Sequence, residues 1–206
     1  MLKVFACASA LAAAAAASGG VVSFEIFENA GGVNTAPVNV GVTLTDMGGT
    51  IHFTFTNSSS INAIITSVYL EVPSLSVGSL SGGTVFAMSS GVNMVPPPSP
   101  ANPAGSIDGY DTVWGGTLFG AARVGSVHNG INPGEWITLS LTASGGATAA
   151  SVQAALASRD EMRIAMHIQN VGPNGENSIW GVNVPTPGSL ALAGLGGLIV
   201  VGRRRR

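Results

Sequence analysis

Charge is scarce in this sequence, since only 9% of its 206 residues are Asp, Glu, Lys or Arg. Between residues 19 and 185 there are three basic residues against ten acidic ones, which gives this stretch a net charge of −7. A surface that binds nucleic acid needs clustered Lys and Arg to displace counterions from the phosphates. The composition therefore predicts that nucleic acid is not a partner.

Cysteine is almost absent, because the only one, Cys7, lies inside an apolar stretch near the start of the chain. If that stretch is removed, the mature protein has no disulfide, no thiolate nucleophile and no Cys-ligated metal. The sequence also lacks a G-x-S-x-G motif and a P-loop with its Lys. Nucleophilic and phosphoryl-transfer chemistry are therefore not expected, and we predict a protein that is not an enzyme and has no cofactor.

The acidic and histidine residues do not form a recognisable metal motif. His52, His128 and His167 have neither the H-x-H nor the H-E-x-x-H spacing that places two imidazoles on one metal. Asp108 and Asp111 lie in a Gly-rich stretch and leave a Ca²⁺ site as an alternative, although the ion needs six or more oxygen ligands. We expect the histidines to be structural and the protein to be free of metal.

The start of the chain has the organisation of a secretory signal. Lys3 supplies a positive charge, residues 4–17 are small or apolar, and Ala15 and Ala17 fit an A-x-A cleavage pattern. We predict cleavage near Ala17 or Ser18 after export through the Sec translocon. The alternative is a buried Ala-rich helix, which the absence of a polar face disfavours.

The end of the chain has three consecutive parts: a Pro-x-Pro segment, an apolar run without charge over residues 189–202, and four arginines. As a helix, these 14 apolar residues would span about 21 Å, which is less than the roughly 30 Å of a bilayer core. The arginines would hold the end in the cytoplasm and attract anionic lipid. We predict a hydrophobic helix that inserts transiently into the inner membrane, with an ordinary tail anchor as the alternative.

This order of motif, Leu/Ala/Gly-rich segment and terminal Arg cluster resembles the PEP-CTERM sorting signal. The resemblance implies that an exosortase, a membrane transpeptidase-like enzyme, recognises and removes the tail and delivers the protein to the cell surface or extracellular matrix. Thr186 stands where the family name has glutamate, so the motif is a variant. The sorting motif comprises Val184, Pro185, Thr186 and Pro187, and the membrane-orienting residues are Arg203, Arg204, Arg205 and Arg206.

A second segment is similar to a recurring element in the bodies of PEP-CTERM proteins. It is an R-x-x-x-H-x-Q strand, formed here by Arg163, His167 and Gln169. Gly172 and the residues around Trp180 follow it before the tail. The resemblance supports the class and implies no catalytic residue.

Between the two ends, apolar residues alternate with polar ones over residues 38–72, which predicts three antiparallel strands. Gly48 and Gly49 stand where a hairpin between the first two strands needs positive φ angles. The inward residues would be Val40, Val42, Leu44, Ile51, Phe53, Phe55, Ile64, Val68 and Leu70. The opposite, wetter face would carry Thr43, Thr45, His52, Thr54 and Thr56.

The sequence pattern is less regular in the rest of the body, after residue 72. Residues 73–111 are rich in Gly and Pro, which predicts a long surface loop. Further strands are predicted at residues 113–119, 136–141 and 162–169, and one short helix at residues 148–158. This pattern favours an antiparallel β-sandwich of the jelly-roll or immunoglobulin-like type. The predicted parts are a signal peptide (1–18), the sandwich (19–183) and the sorting tail (184–206).

These observations predict an exported structural protein of the cell surface or extracellular matrix. The alternative is a secreted carbohydrate-binding module with extracellular polysaccharide as its partner, because flat aromatic rings and a neutral surface suit uncharged glycans. The candidate rings are Tyr69, Tyr110, Trp114, Trp136 and Trp180. Two or three exposed rings in one plane would favour glycan binding, whereas burial would favour the structural role.

Overall fold

The computed structural model describes residues 18–22, 24–28, 34–72, 75–98, 117–158, 161–172 and 174–183. The predicted signal peptide up to residue 17 and the predicted sorting tail from Val184 onward lie outside these residues. The same holds for Asp108, Tyr110, Asp111 and Trp114. Within the described residues the chain forms two antiparallel sheets and one α-helix, so the predicted all-β sandwich is confirmed at this level.

The strands follow one another along the chain with short connections at most positions. In chain order they are β1 (Ser18–Val22), β2 (Phe24–Glu28), β3 (Val40–Asp46), β4 (Thr50–Asn57), β5 (Ile64–Val72), β6 (Ser79–Met88), β7 (Met94–Val95), β8 (Thr117–Arg123), β9 (Trp136–Ser144), β10 (Arg163–Val171) and β11 (Asn177–Asn183). The first sheet has the order β1-β3-β4-β9-β6, and the second has the order β2-β11-β10-β5-β8-β7.

The space between the two sheets is filled by apolar side chains, because successive residues of a strand point to opposite faces. Leu44, Phe53 and Leu139 of the first sheet and Val68 and Met166 of the second belong to one continuous buried cluster. The three strands that the alternating pattern predicted are therefore confirmed as β3, β4 and β5. At 25 cal/mol per Å² or so, burial of such side chains is the main stabilising contribution to a sandwich.

One inward residue was predicted wrongly. Ile65, rather than Ile64, belongs to the cluster between the sheets with Val68. The pairing of β5 with β10 shifts by one residue here, so that Ser67 lies opposite His167 while Ile65 lies opposite Ile168. The inserted residue is Thr66, and a β-bulge of this kind reverses the faces on its two sides.

The prediction of a long loop over residues 73–111 is wrong for much of the described part of that range, because β6 and β7 lie within it. Both strands are at a sheet edge, where Gly and Pro are tolerated. In β6 the pairing with β9 is interrupted between Ser81 and Thr84, which accommodates Gly82 and Gly83. The strand predicted at residues 113–119 also differs, since β8 extends to Arg123.

The helix α1 (Ala149–Ser158) closely matches the prediction over residues 148–158. Val152, Ala155 and Leu156 are buried as expected, and the helix contacts β1 and β3. The hydroxyl of Thr148 accepts a hydrogen bond from the Ser151 amide at 3.2 Å, which caps the first turn. Across the described part of the chain, no helix combines the length and apolarity of a membrane span.

Candidate functional site

The predicted sorting motif and the four arginines lie outside the described residues. Asn183, the residue that precedes the motif, lies within them. Asn183 ends β11 and is fully buried. Its Oδ1 accepts a hydrogen bond from the Ile164 amide at 2.8 Å, and its Nδ2 donates to the Leu156 carbonyl at 2.7 Å. Because this carbonyl lies in the last turn of α1, Asn183 joins the helix end to two strands.

The R-x-x-x-H-x-Q segment forms β10, near the middle of the second sheet. Alternation along the strand places Arg163, Ala165 and His167 on the face that points away from the other sheet. We call this the outer face of the second sheet. Tyr69, Ala165, Trp180 and Val182 form a buried cluster there, separate from the core between the sheets.

A buried ion pair lies at one end of this face. Arg163 and Glu71 are cross-strand neighbours, and their side chains are only 2% and 3% exposed. Arg163 donates from Nε to Glu71 Oε2 at 3.0 Å and from a terminal nitrogen to the same oxygen. The sequence pattern did not point to Glu71, because the two residues are 92 positions apart in the chain. Their pairing depends on the register of β5 against β10.

Tyr69 lies beside the pair, opposite Ala165 on one side and Gly120 on the other. Its ring packs against Trp180 with a centroid distance of 5.6 Å. Burial raises the pKa of Tyr69, and the nearby Ser67 hydroxyl offsets part of this effect. The phenol is therefore protonated at neutral pH. Its oxygen is buried.

His167 continues the face and stacks on Trp180, with ring centroids 4.6 Å apart. Its Nδ1 lies 3.2 Å from the Thr66 hydroxyl, which also donates to the His167 carbonyl at 3.2 Å. Burial, and then the positive charge of Arg123, lower the pKa of His167. The imidazole is thus neutral at pH 7, and its hydrogen bonds join it to the bulge in β5. These contacts assign His167 a role in packing and register.

Among the residues that the structure describes, neither the histidines nor the acidic residues converge on a metal site. His52 lies on the first sheet, His128 lies in a short 3-10 turn (Val127–Asn129), and His167 lies on the second sheet. Within the ranges that the structure describes, no three His, Cys, Asp or Glu residues are grouped to hold a metal ion. The suggested calcium ligands Asp108 and Asp111 are outside those ranges.

Two open clefts are present on the described surface, and both are shallow. One has a volume of about 310 Å³ and is formed by the three prolines after β7 together with Gly83, Leu118, Phe119 and Gly120. The other, of about 230 Å³, lies at the β10–β11 hairpin and includes one ionisable residue, Glu176. General acid–base catalysis usually needs two positioned ionisable groups. Neither cleft brings two such groups together among its described residues.

The candidate sugar-stacking rings do not lie on one surface. Tyr69 and Trp180 are buried, which removes them from any exposed platform, whereas Trp136 is 37% exposed. Trp114 and Tyr110 are outside the described residues. Phe86, which the sequence pattern did not single out, is 62% exposed on β6. The exposed rings of the described residues therefore lie on the first sheet.

The face of the first sheet that points away from the core carries Thr43, Thr45, His52, Thr54 and Thr56, as predicted. We call it the outer face of the first sheet. Thr54 and Thr138 are cross-strand neighbours whose hydroxyl oxygens are 2.8 Å apart. The ring of Phe86 packs against His52 with a centroid distance of 4.2 Å and an angle of 42° between the ring planes. This face combines hydroxyl groups with exposed rings.

In comparisons with known protein families, with curated proteins and with solved structures, the chain has no significant match. Its fold class is therefore established by its own strand pairing and core, and its function is inferred from its own residues.

Proposed function

We propose that this protein is exported and sorted to the cell surface or extracellular matrix, where its β-sandwich has a structural role. One observation carries the proposal: residues 1–18 have the charge and small-residue pattern of a secretory signal, and residues 184–206 have the Pro-x-Pro motif, the apolar run and the Arg cluster of a sorting-like tail. In this proposal, processing at both segments would leave a β-sandwich body.

The sorting step is assigned to the tail. In this proposal an exosortase-type enzyme recognises the segment around Pro185, Thr186 and Pro187 after the Sec translocon has exported the body. The hydrophobic run over residues 189–202 would insert as a short helix, and the four arginines that follow would keep its end on the cytoplasmic side. The membrane contact is transient because the run is shorter than a bilayer core.

The contacts of Asn183 support removal of the tail without damage to the body. The two neighbours of β11 are β10 and β2, and both precede Val184 in the chain. The buried amide of Asn183 is already satisfied by Ile164 and Leu156. Cleavage after this point would remove no strand partner from either described sheet.

The finer features of the fold belong to the same proposal. We assign the sandwich to the jelly-roll or immunoglobulin-like type, with an N-terminal signal helix and a C-terminal hydrophobic helix. No catalytic step and no cofactor is part of the assigned role.

Deletion of residues 186–206 tests the sorting role. The purified variant should keep the melting temperature of the full-length protein, while the protein in the cell should fail to reach the surface. Replacement of Arg203, Arg204, Arg205 and Arg206 by glutamine should also impair retention, because each charge contributes about 1 kcal/mol of attraction to anionic lipid. Replacement of all four by lysine is the matched control and should preserve sorting. Unfolding of the deleted protein, or unchanged localisation, would contradict the proposal.

A second candidate function, a secreted carbohydrate-binding module, is favoured by the exposure of Phe86 and Trp136 on a sheet rich in threonine. The two functions are compatible, since a matrix protein can bind the polysaccharide around it.

A further inference from the structure

The register of the first sheet arranges hydroxyl groups in rows across the strands. One row consists of Thr43, Thr54 and Thr138, which are successive cross-strand neighbours on β3, β4 and β9. A second row consists of Thr45, His52, Ser140 and Thr84. Neighbouring strands are about 4.8 Å apart and alternate residues of a strand about 6.7 Å apart, so the hydroxyls form a regular two-dimensional array.

The threonine side chains are rigid, because branching at Cβ restricts χ1. Thr138 is buried, and its hydrogen bond with Thr54 orders the centre of the array. A surface whose groups are already ordered loses less conformational entropy when it binds a partner.

Two exposed aromatic rings belong to the same face. Phe86 occupies a point where the pairing of β6 with β9 shifts, and its ring reaches His52 two strands away. Trp136 is the first residue of β9 and pairs with Thr56 on β4. The contact with His52 holds the Phe86 ring in place while 62% of the residue remains accessible.

Within the five described strands of the first sheet, no Asp, Glu, Lys or Arg lies on this face. Asp46 is the only charged residue in the five strands of the first sheet, and its alternation places it on the same side as Val42 and Leu44. A neutral face offers no electrostatic attraction to an anionic polymer, a nucleic acid or a charged lipid surface. Hydroxyl rows beside exposed rings instead match a neutral polyhydroxylated partner, because the rings can cover the apolar faces of sugars.

We propose that the outer face of the first sheet binds a neutral polysaccharide, with Phe86 and Trp136 stacking on sugar rings and the accessible threonine hydroxyls, such as that of Thr84, bonding to sugar hydroxyls. The proposal does not depend on the sorting tail. It also assigns no part in binding to the buried Tyr69 and Trp180.

Affinity electrophoresis of the full-length chain in neutral detergent tests this binding. The gels would contain hydroxyethyl cellulose, dextran or galactomannan as neutral polysaccharides, and alginate as the anionic comparison. We expect at least one neutral polymer to retard the protein and alginate to have no such effect. The doubly substituted Phe86→Ala/Trp136→Ala variant should bind the retarding polymer about tenfold more weakly.

Two further variants separate the contributions of rings and hydroxyls. Thr84→Val/Thr142→Val removes two hydroxyls from exposed side chains on β6 and β9, keeps the shape of both side chains and should also reduce retardation. Val95→Ala and Val124→Ala change exposed residues away from this face and should retain full retardation. Unchanged melting temperatures would show that every variant is folded.

Three results would overturn the proposal. They are the absence of retardation by any of the neutral polymers, equal retardation of the Phe86→Ala/Trp136→Ala variant, and equal retardation by alginate. A dimer that this variant abolishes, together with no polysaccharide binding, would show that a second copy of the chain covers the face instead.

Discussion

Replacement of Arg163 by leucine should lower the free energy of unfolding by about 3–5 kcal/mol, because Glu71 would keep its charge inside the protein without its partner. Both side chains are almost fully buried, and the Arg163 Nε lies 3.0 Å from a Glu71 oxygen. With an effective dielectric constant of about 20, two opposite charges at this distance attract each other by about 5.5 kcal/mol. The loss of this attraction sets the scale of the effect.

Glu71→Leu should have a similar cost, since it leaves the guanidinium of Arg163 buried. The double variant Glu71→Leu/Arg163→Leu removes both charges and should lose clearly less stability than the sum of the two single changes. The midpoint and slope of urea unfolding give these free energies. Val124→Ala, at an exposed position, is the control and should change stability by less than about 0.5 kcal/mol. Additive effects of the two buried substitutions would refute the argument for a coupled ion pair.

Three other predictions concern the body. The pKa of His167 is lowered from its ordinary 6.5 by burial and by Arg123. The unfolded chain therefore binds a proton before the folded one does, so the melting temperature should fall as pH decreases from 6.5 towards the folded pKa, and His167→Gln should flatten this part of the profile. A flat wild-type profile in that window would contradict the assignment. Gly120→Ala should destabilise the protein by more than about 2 kcal/mol in urea unfolding, because φ is +147° and the new Cβ would lie 2.0 Å from the Val68 carbonyl oxygen. Gly48→Ala, at φ +66° with nothing within 4 Å, is the control and should cost only about 1 kcal/mol, the strain of a left-handed conformation. Thermal melts with and without EDTA should coincide, whereas a large decrease with the chelator would revive the calcium alternative at Asp108 and Asp111.

The parts of the fold that are predictable from the sequence have regular alternation. Phe53 and Phe55 alternate with His52 and Thr54, and this pattern alone correctly predicts which side of β4 faces the core. The helix α1 is predictable for a similar reason, since Val152 and Leu156 recur at helical spacing. Local periodicity is sufficient where a strand or helix has one buried face.

The features that were missed depend on pairing between distant residues or on the position of a strand in its sheet. The Thr66 bulge arises from the register of β5 against β10, which no local pattern encodes. The strand β6 contains adjacent glycines, which the sheet tolerates because β6 is at the edge. Phe86 lies in β6, and because this segment was predicted as a loop, the sequence did not identify Phe86 as an exposed ring on a sheet face.

The ion pair between Arg163 and Glu71 was only partly predictable from the R-x-x-x-H-x-Q motif. The spacing of Arg163 and His167 does predict that both lie on one face of a strand. It does not indicate that Glu71 is the partner of Arg163, although Glu71 directly follows the last alternating residue predicted for β5, Leu70. Identification of that contact required the pairing of the two strands.

The central claim is that the mature protein is the sandwich without its two terminal segments. Mass spectrometry of the protein purified from the cell surface would measure both termini directly. The account predicts an N-terminus within a few residues of Ser18 and a C-terminus near the Val184 to Pro187 motif. Recovery of a chain that still begins at Met1, or that still ends at Arg206, would contradict it.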